Sequence, residues 1–139
     1  MKLSKITVID FETSGLDPQK DKVIEMAALR CEEGKIVSQF CTLIRFEGQL
    51  SPQITKMTGI TNLDLRNGFE ENEAFKILAQ MIGDNLKAAH NAIFDLSFLH
   101  NKEKSVASEI NKLGYTAKYG LPDWYPEYAI PEMIQIKYA

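Results

Sequence analysis

Short apolar runs near the start of the chain predict strands. The run at residues 6–11 has apolar side chains on both faces, a pattern typical of a central strand that is covered on both sides. Strand candidates at 23–31 and 35–44 follow, joined by the turn-forming residues 32–34. We therefore expect three strands that are antiparallel neighbours in one sheet.

The pattern then changes to helical spacing. Apolar residues recur at helical intervals over 73–82 and stop before Gly83, which predicts an amphipathic helix. Residues 50–65 are interrupted by proline and glycine, so we expect a loop with one short helical turn. A short strand at 86–90 should lead into a helix that Asn91 can cap. This alternation predicts an α/β fold with a mixed central sheet flanked by helices.

The end of the chain differs in composition from the rest. A further helix is expected at 106–113, and beyond it lie all five tyrosines, the single tryptophan and three of the five prolines. We therefore divide the chain into an α/β domain, residues 1–114, and a Tyr/Trp/Pro-rich tail, residues 115–139. The tail either packs over the open edge of the domain or binds a protein partner, since Trp and Tyr are enriched at interface hot spots.

Composition and charge bound the class of protein. The 139 residues are 45% hydrophobic and 25% charged, as expected for one compact domain. No apolar run approaches the ~18 residues that cross a bilayer, and the first residues lack a secretion signal. We therefore expect a cytoplasmic protein without membrane contact. The net charge of −3 disfavours a wide electrostatic footprint on nucleic acid, although it permits a short nucleic-acid end as partner.

The cysteines argue against a sulfur-ligated metal. Cys31 and Cys41 do not have a metal-binding spacing, and a reducing compartment would keep them as small buried hydrophobic residues. Any bound metal is therefore expected to have oxygen ligands.

Asp10 and Glu12 are the first candidates for such ligands. They stand two residues apart at the end of the first strand, so they project from the same face. Two carboxylates beside apolar neighbours repel each other and lose hydration, at a cost of several kcal/mol, unless a cation lies between them. Mg²⁺ or Mn²⁺ would supply that charge. A strand end that simply emerges into solvent explains this short motif equally well.

Asp95 is a third candidate. It lies early in a predicted helix, where the macrodipole alone favours an acid. Helical spacing also puts Asp95 beside Asn91 and turns Phe94 and Phe98 towards the core, so that its carboxylate can face the end of the first strand. Three oxygen ligands on two adjacent elements form a plausible metal site.

Four segments in order resemble the DnaQ-like (DEDD) 3′-to-5′ exonucleases, a family that includes the proofreading subunit of bacterial DNA polymerase III. The segments are VIDFETSGLDP, VIEMAALR, KMTGIT and AHNAIFDLSFL, and together they span about residues 5–100. The resemblance implies a ribonuclease H-like fold. It also implies two divalent metal ions, Mg²⁺ or Mn²⁺, bound by four acids, of which Asp10, Glu12 and Asp95 stand at matching positions.

The resemblance also implies contacts to the substrate. Thr13, Gly15 and Leu16 would hold the terminal nucleotide, with Leu16 against its base. Thr58 and Gly59, in the third segment, would lie near the 3′ end.

Residues of the fourth segment would support the site. Asn91 and Phe94 would do so from the helix that carries Asp95, whereas His90 is expected to be structural. Core packing explains Phe94 and Leu16 equally well.

The implied reaction is metal-assisted hydrolysis of phosphodiester bonds at the 3′ end of single-stranded or frayed DNA or RNA. The alternative is a catalytically impaired exonuclease-fold module that binds nucleic acid or a protein partner. The two differ in whether the metal site is complete.

The sequence differs from the family at the closing motif. It is a His or Tyr general base followed by the fourth acid, and no H-x-x-x-x-D occurs after Asp95. His100 comes too early. Tyr119 and Asp123 match the Tyr form literally, but Pro122 lies where the motif needs a helix. We expect Asp123 to be a surface acid, in which case a second protein or subunit would complete the metal site.

Overall fold

The computed structural model describes residues 5–90, 94–99, 101–102 and 133–135. Its centre is a five-stranded mixed sheet in the order β3-β2-β1-β4-β5. The strands are β1 (Lys5–Thr13), β2 (Val23–Glu32), β3 (Lys35–Leu43), β4 (Leu86–Ala89) and β5 (Met133–Gln135). The pairs β1–β2 and β2–β3 are antiparallel, whereas β4 is parallel to both β1 and β5. The predicted mixed α/β sheet with a central first strand is confirmed.

Three helices have complete bounds: α1 (Pro52–Thr58), α2 (Asn62–Arg66) and α3 (Glu71–Ile82). A further helical segment, α4, comprises residues 94–99. The helix α3 was predicted from its periodicity and ends, as expected, before Gly83. It packs on β1, where the rings of Phe11 and Phe75 lie with centroids 6.0 Å apart.

The prediction of a loop with a single helical turn at 50–65 was wrong, because two short helices form there. The Ser51 side chain accepts a hydrogen bond from the backbone N–H of Ile54, and the proline that follows Ser51 stands at the helix start, where a missing N–H costs nothing. Thr61 and Asp64 then form a reciprocal capping box that starts α2. The proline starts α1 and does not interrupt it.

The prediction that both cysteines are buried was also wrong. Cys31 is half-buried and Cys41 is exposed. Cys41 lies on β3, which is an edge strand whose residues are mostly exposed. Cys41 is therefore exposed although it lies in a strand.

Several predicted features lie outside the described residues. They are the Asn91 cap, the helix at 106–113, His100, Tyr119 and Asp123. Within the predicted tail, Met133–Gln135 form β5 and extend the sheet beside β4. No helix among the described residues is long and apolar enough to cross a membrane.

Candidate functional site

Asp10 and Glu12 lie near the carboxyl end of β1, on one face of the strand. The intervening Phe11 and the preceding Ile9 point to the other face and are buried in the core. Asp10 is exposed and Glu12 is half-buried. The strand therefore presents two carboxylates on its solvent-accessible side, as the alternation predicts.

Asp95 reaches the same strand end from α4. Its side chain is only 3% exposed, and its Oδ1 accepts a hydrogen bond from the backbone N–H of Phe11 at 3.1 Å. Since Phe11 lies between Asp10 and Glu12, this bond holds the third predicted acid beside the first two. The bond joins two residues that are 84 positions apart in the sequence.

The acids interact electrostatically. Burial raises the pKa of Asp95 to about 6, the Phe11 N–H bond opposes this rise, and the charges of Asp10 and Glu12 add to it. The pKa of Glu12 is likewise raised, first by burial and then by the charges of Asp10 and Glu25. The negative charges of neighbouring acids therefore add to the effect of burial on Glu12 and Asp95.

The described residues place no cationic side chain in an ion pair with these acids. The ion pairs found in that part of the chain join Arg30 to Glu32 and Lys102 to Glu71.

The donor set has the chemistry that a hard divalent cation requires. All its members are carboxylates, the ligands that Mg²⁺ and Mn²⁺ prefer. The residue types therefore fit the metal. Among the described residues, however, no three acidic, His or Cys side chains already stand at the spacing of a metal site.

Glu25 is a member of this acidic group that the sequence did not reveal. It lies on β2 as the direct cross-strand partner of Glu12. Its glutamate is part of the VIEMAALR segment, so the residue was visible in the sequence. The sequence did not predict that Glu25 lies opposite Glu12. The strands β1 and β2 are joined by a nine-residue loop (residues 14–22), which does not fix the register as a tight hairpin would.

The turn after β1 is built around the carboxylate of Asp21. That carboxylate accepts hydrogen bonds from Ser14 Oγ at 3.1 Å and from the backbone N–H of Asp17 at 3.0 Å. Thr13 Oγ1 donates to the carbonyl of Gly15 at 2.5 Å. The turn displays Leu16 with 84% of its surface exposed. Core packing, one of the two explanations for Leu16, is therefore wrong.

Gly15 has a steric reason to be glycine. A Cβ at this position would lie 2.4 Å from Asp21 Oδ2, and the carboxylate is held by its hydrogen bonds. We expect Gly15→Ala to lower the free energy of unfolding by about 1–3 kcal/mol, the range typical of overpacking. Chemical denaturation measures this change.

Asp21→Ala in the same background is the matched control for Gly15→Ala. Because it removes the clashing carboxylate, the double variant should lose less stability than the sum of the two single losses. Strict additivity of the two losses would contradict the steric explanation.

The Thr58–Gly59 turn closes α1 near the same end of the sheet. Gly59 has a left-handed backbone with φ of 76°, and its N–H donates to the carbonyl of Thr55. The next residue, Ile60, is buried in one cluster with Ile24, which precedes Glu25. The turn is therefore anchored to the β2 residue that adjoins the acidic group.

The structure describes two of the three other residues of the fourth segment. Phe94 packs partly buried against the core, with its ring centroid 5.1 Å from that of Phe98. His90 directly follows β4 and is exposed. Asn91 lies outside the described residues. Core packing of Phe94 is thus seen directly, whereas its support of the site stays a prediction.

Comparison with known proteins identifies relatives of this chain. The RNase_T family model, an exonuclease family, matches residues 7–121. A PolC-type DNA polymerase III from Thermotoga maritima is 40% identical over 92 residues, which make up 66% of this chain and 7% of the polymerase. The chain thus corresponds to a small part of that relative.

Solved structures share the fold. Exonuclease X, in complex with 5′ overhanging duplex DNA, is 28% identical with a TM-score of 0.57 over 67% of this chain and 52% of its own. Exonuclease I of E. coli, in complex with a dT13 oligonucleotide, is 22% identical with a TM-score of 0.59 over 68% of this chain and 22% of its own. The likeness to exonuclease I concerns the fold alone, and it agrees with the predicted ribonuclease H-like architecture.

Proposed function

The chain belongs to the RNase_T exonuclease family, and from this premise we propose that it is a metal-dependent 3′-to-5′ exonuclease. Its substrate would be the 3′ end of a single-stranded or frayed nucleic acid. The observation that carries the proposal is the convergence of Asp10, Glu12 and Asp95 at the end of β1, fixed by the bond from the Phe11 N–H to Asp95.

Asp10, Glu12 and Asp95 would hold two divalent ions, Mg²⁺ or Mn²⁺. Such ions lower the pKa of water and stabilise the charge that develops on a phosphodiester during hydrolysis. The protein's own contribution is to concentrate negative charge where the ions bind. Burial first, and the neighbouring charges after it, raise the pKa of Asp95 and of Glu12, and a bound cation would oppose this rise by stabilising the ionised carboxylates.

The exposed turn would position the terminal nucleotide. Leu16 offers an apolar side chain that projects freely into solvent and could pack against a base. The hydrogen bond from Thr13 Oγ1 to the Gly15 carbonyl holds the turn in shape. Gly15, which has no side chain, would permit close approach of the backbone to the nucleotide. Thr58 and Gly59 would contribute from the neighbouring α1 turn.

A catalytically impaired member of the family is the second candidate. The observation that favours it is that no H-x-x-x-x-D occurs after Asp95, so that the general base and the fourth acid of the family are not identified in the sequence. Such a protein would keep the fold and bind nucleic acid or a protein partner without hydrolysis. The two candidates differ in whether the protein hydrolyses nucleic acid.

The test is incubation of the protein with Mn²⁺ and a single-stranded oligonucleotide labelled at its 5′ end. We expect a ladder of products that shorten by one nucleotide at a time from the 3′ end, and no products when Mn²⁺ is replaced by excess chelator. The same oligonucleotide with phosphorothioate linkages at its 3′ end is the control, and it should resist degradation. Binding of the oligonucleotide without any hydrolysis would establish the impaired module instead.

A further inference from the structure

Asp21 carries an inference that goes beyond the residues proposed to touch the nucleotide. We propose that Asp21 is a positioning residue, whose carboxylate holds the turn after β1 in the shape that presents Leu16 to the terminal base. The inference rests on the proposed function, because it adds a residue to the same substrate site. Asp21 would act on the substrate through this turn and not by direct contact.

The carboxylate of Asp21 binds the chain on both sides of Leu16. Its Oδ1 accepts a hydrogen bond from Ser14 Oγ at 3.1 Å, and its Oδ2 accepts one from the backbone N–H of Asp17 at 3.0 Å. Ser14 and Asp17 flank the dipeptide of Gly15 and Leu16 in the sequence. One carboxylate therefore joins the two ends of the segment that carries Leu16.

Backbone hydrogen bonds fix the place from which the Asp21 side chain reaches the turn. The N–H of Asp21 donates to the carbonyl of Asp17 at 2.7 Å, and the N–H of Ser14 donates to the carbonyl of Lys22 at 2.9 Å. The N–H of Lys22 donates in return to Ser14 Oγ at 3.0 Å. These bonds close the base of the turn, so the carboxylate extends from a fixed backbone.

Leu16 depends on these bonds because packing does not hold it. The residue is 84% exposed. The preceding Gly15 lies so close to Asp21 that a Cβ there would be 2.4 Å from the carboxylate oxygen Oδ2. The shape of the segment is therefore set by its contact and hydrogen bonds with Asp21. A loop that is ordered before binding avoids the affinity that ordering on binding would cost.

A further bond joins the turn to the segment that carries Asp95. The side-chain amide of Asn101, which follows α4, donates to the carbonyl of Pro18 in the same turn. Asp95 itself accepts the N–H of Phe11 on β1. The turn and the acids are thereby tied to the same two elements, so a base held by Leu16 would lie in a fixed position relative to Asp95.

The test compares Asp21→Ala with Asp84→Ala in binding to a nuclease-resistant oligonucleotide. The probe is fluorescent, single-stranded and protected by phosphorothioate linkages at its 3′ end, and Kd is measured by fluorescence anisotropy with Mn²⁺ present. We expect Asp21→Ala to raise Kd about tenfold, the size of effect that follows from ordering a loop side chain on binding. Asp84 is exposed and lies just before β4, at the opposite end of the sheet from this turn. Asp84→Ala should match the wild type.

The variant Leu16→Ala shows whether Asp21 acts through Leu16. It should itself raise Kd. Adding Asp21→Ala to it should then raise Kd much less than in the wild type, because two residues that serve one contact are not additive. Full additivity of the two effects would overturn the assignment, since a merely structural Asp21 would weaken both proteins equally.

Two conservative variants separate hydrogen bonding from charge and from folding. In Asp21→Asn the carbonyl can accept from the Asp17 N–H and the amide can donate to Ser14 Oγ, so Kd should return close to the wild-type value. A Kd as weak as that of Asp21→Ala would contradict the hydrogen-bonding role. Ser14→Ala removes one of the two bonds and carries the same comparison if Asp21→Ala is unfolded.

The outcomes distinguish this inference from the proposed function. Wild-type Kd values in both Asp21→Ala and Ser14→Ala would overturn the role of Asp21 while leaving the proposed function intact. Failure of the wild-type protein to bind the oligonucleotide would overturn both.

Discussion

Asp10→Ala is expected to abolish hydrolysis while leaving the protein folded. Asp10 is exposed, so its removal opens no cavity in the core. It lies at the centre of the acidic group, since its charge raises the pKa of both Glu12 and Asp95. Metal ions supply several kcal/mol of charge stabilisation in phosphodiester hydrolysis, and each 1.36 kcal/mol is a factor of ten in rate. The loss should therefore be about 10³-fold or larger.

The measurement is the initial rate of nucleotide release from the 5′-labelled oligonucleotide at saturating Mn²⁺. Glu47→Gln is a suitable control, because it removes an exposed acid that forms no hydrogen bond or ion pair with the described residues. It should retain the wild-type rate. An Asp10→Ala variant with near wild-type activity would show that hydrolysis takes place elsewhere on the molecule or comes from a contaminant.

The sequence predicts the part of the fold and site that depends on local spacing. The two-residue separation of Asp10 and Glu12 is enough to put them on one face of a strand. The interval of apolar residues likewise predicts α3, and the turn-forming residues 32–34 predict the β2–β3 hairpin, in which Glu33 and Gly34 both have positive φ in the structure. In each case the relevant geometry is contained within a few residues.

What the sequence does not predict depends on contacts between distant residues. The proximity of Glu25 to Glu12 follows from the β1–β2 register, which in turn depends on the burial of Ile24 in the second core cluster. The burial of Asp95 depends on how α4 meets β1, which periodicity leaves open. The two short helices at 52–66 depend on side-chain caps that a count of proline and glycine misses.

Asp95→Asn is expected to stabilise the metal-free protein and to abolish its response to metal. The pKa of Asp95 rises from 3.8 in a model peptide to about 6 in the folded chain. Between these values the folded protein holds a proton that the unfolded chain has released. The resulting stabilisation is fully present below about pH 4 and is lost as the pH rises through about 6. At pH 7.5 the wild type therefore contains a buried, ionised carboxylate that is in none of the described ion pairs.

Asn removes that charge and keeps an oxygen that can accept the Phe11 N–H bond. We expect a gain in the free energy of unfolding on the order of 1–3 kcal/mol at pH 7.5, and a much smaller gain at pH 4.5, where the wild-type carboxyl is protonated. Chemical denaturation of both proteins in chelator at the two pH values measures this difference. Addition of Mn²⁺ at pH 7.5 should raise the Tm of the wild type and not that of Asp95→Asn. Equal stability of the two proteins at pH 7.5 in chelator would contradict the view that the ionised Asp95 destabilises the fold. An equal rise in Tm with Mn²⁺ in both proteins would show that Asp95 is not a metal ligand.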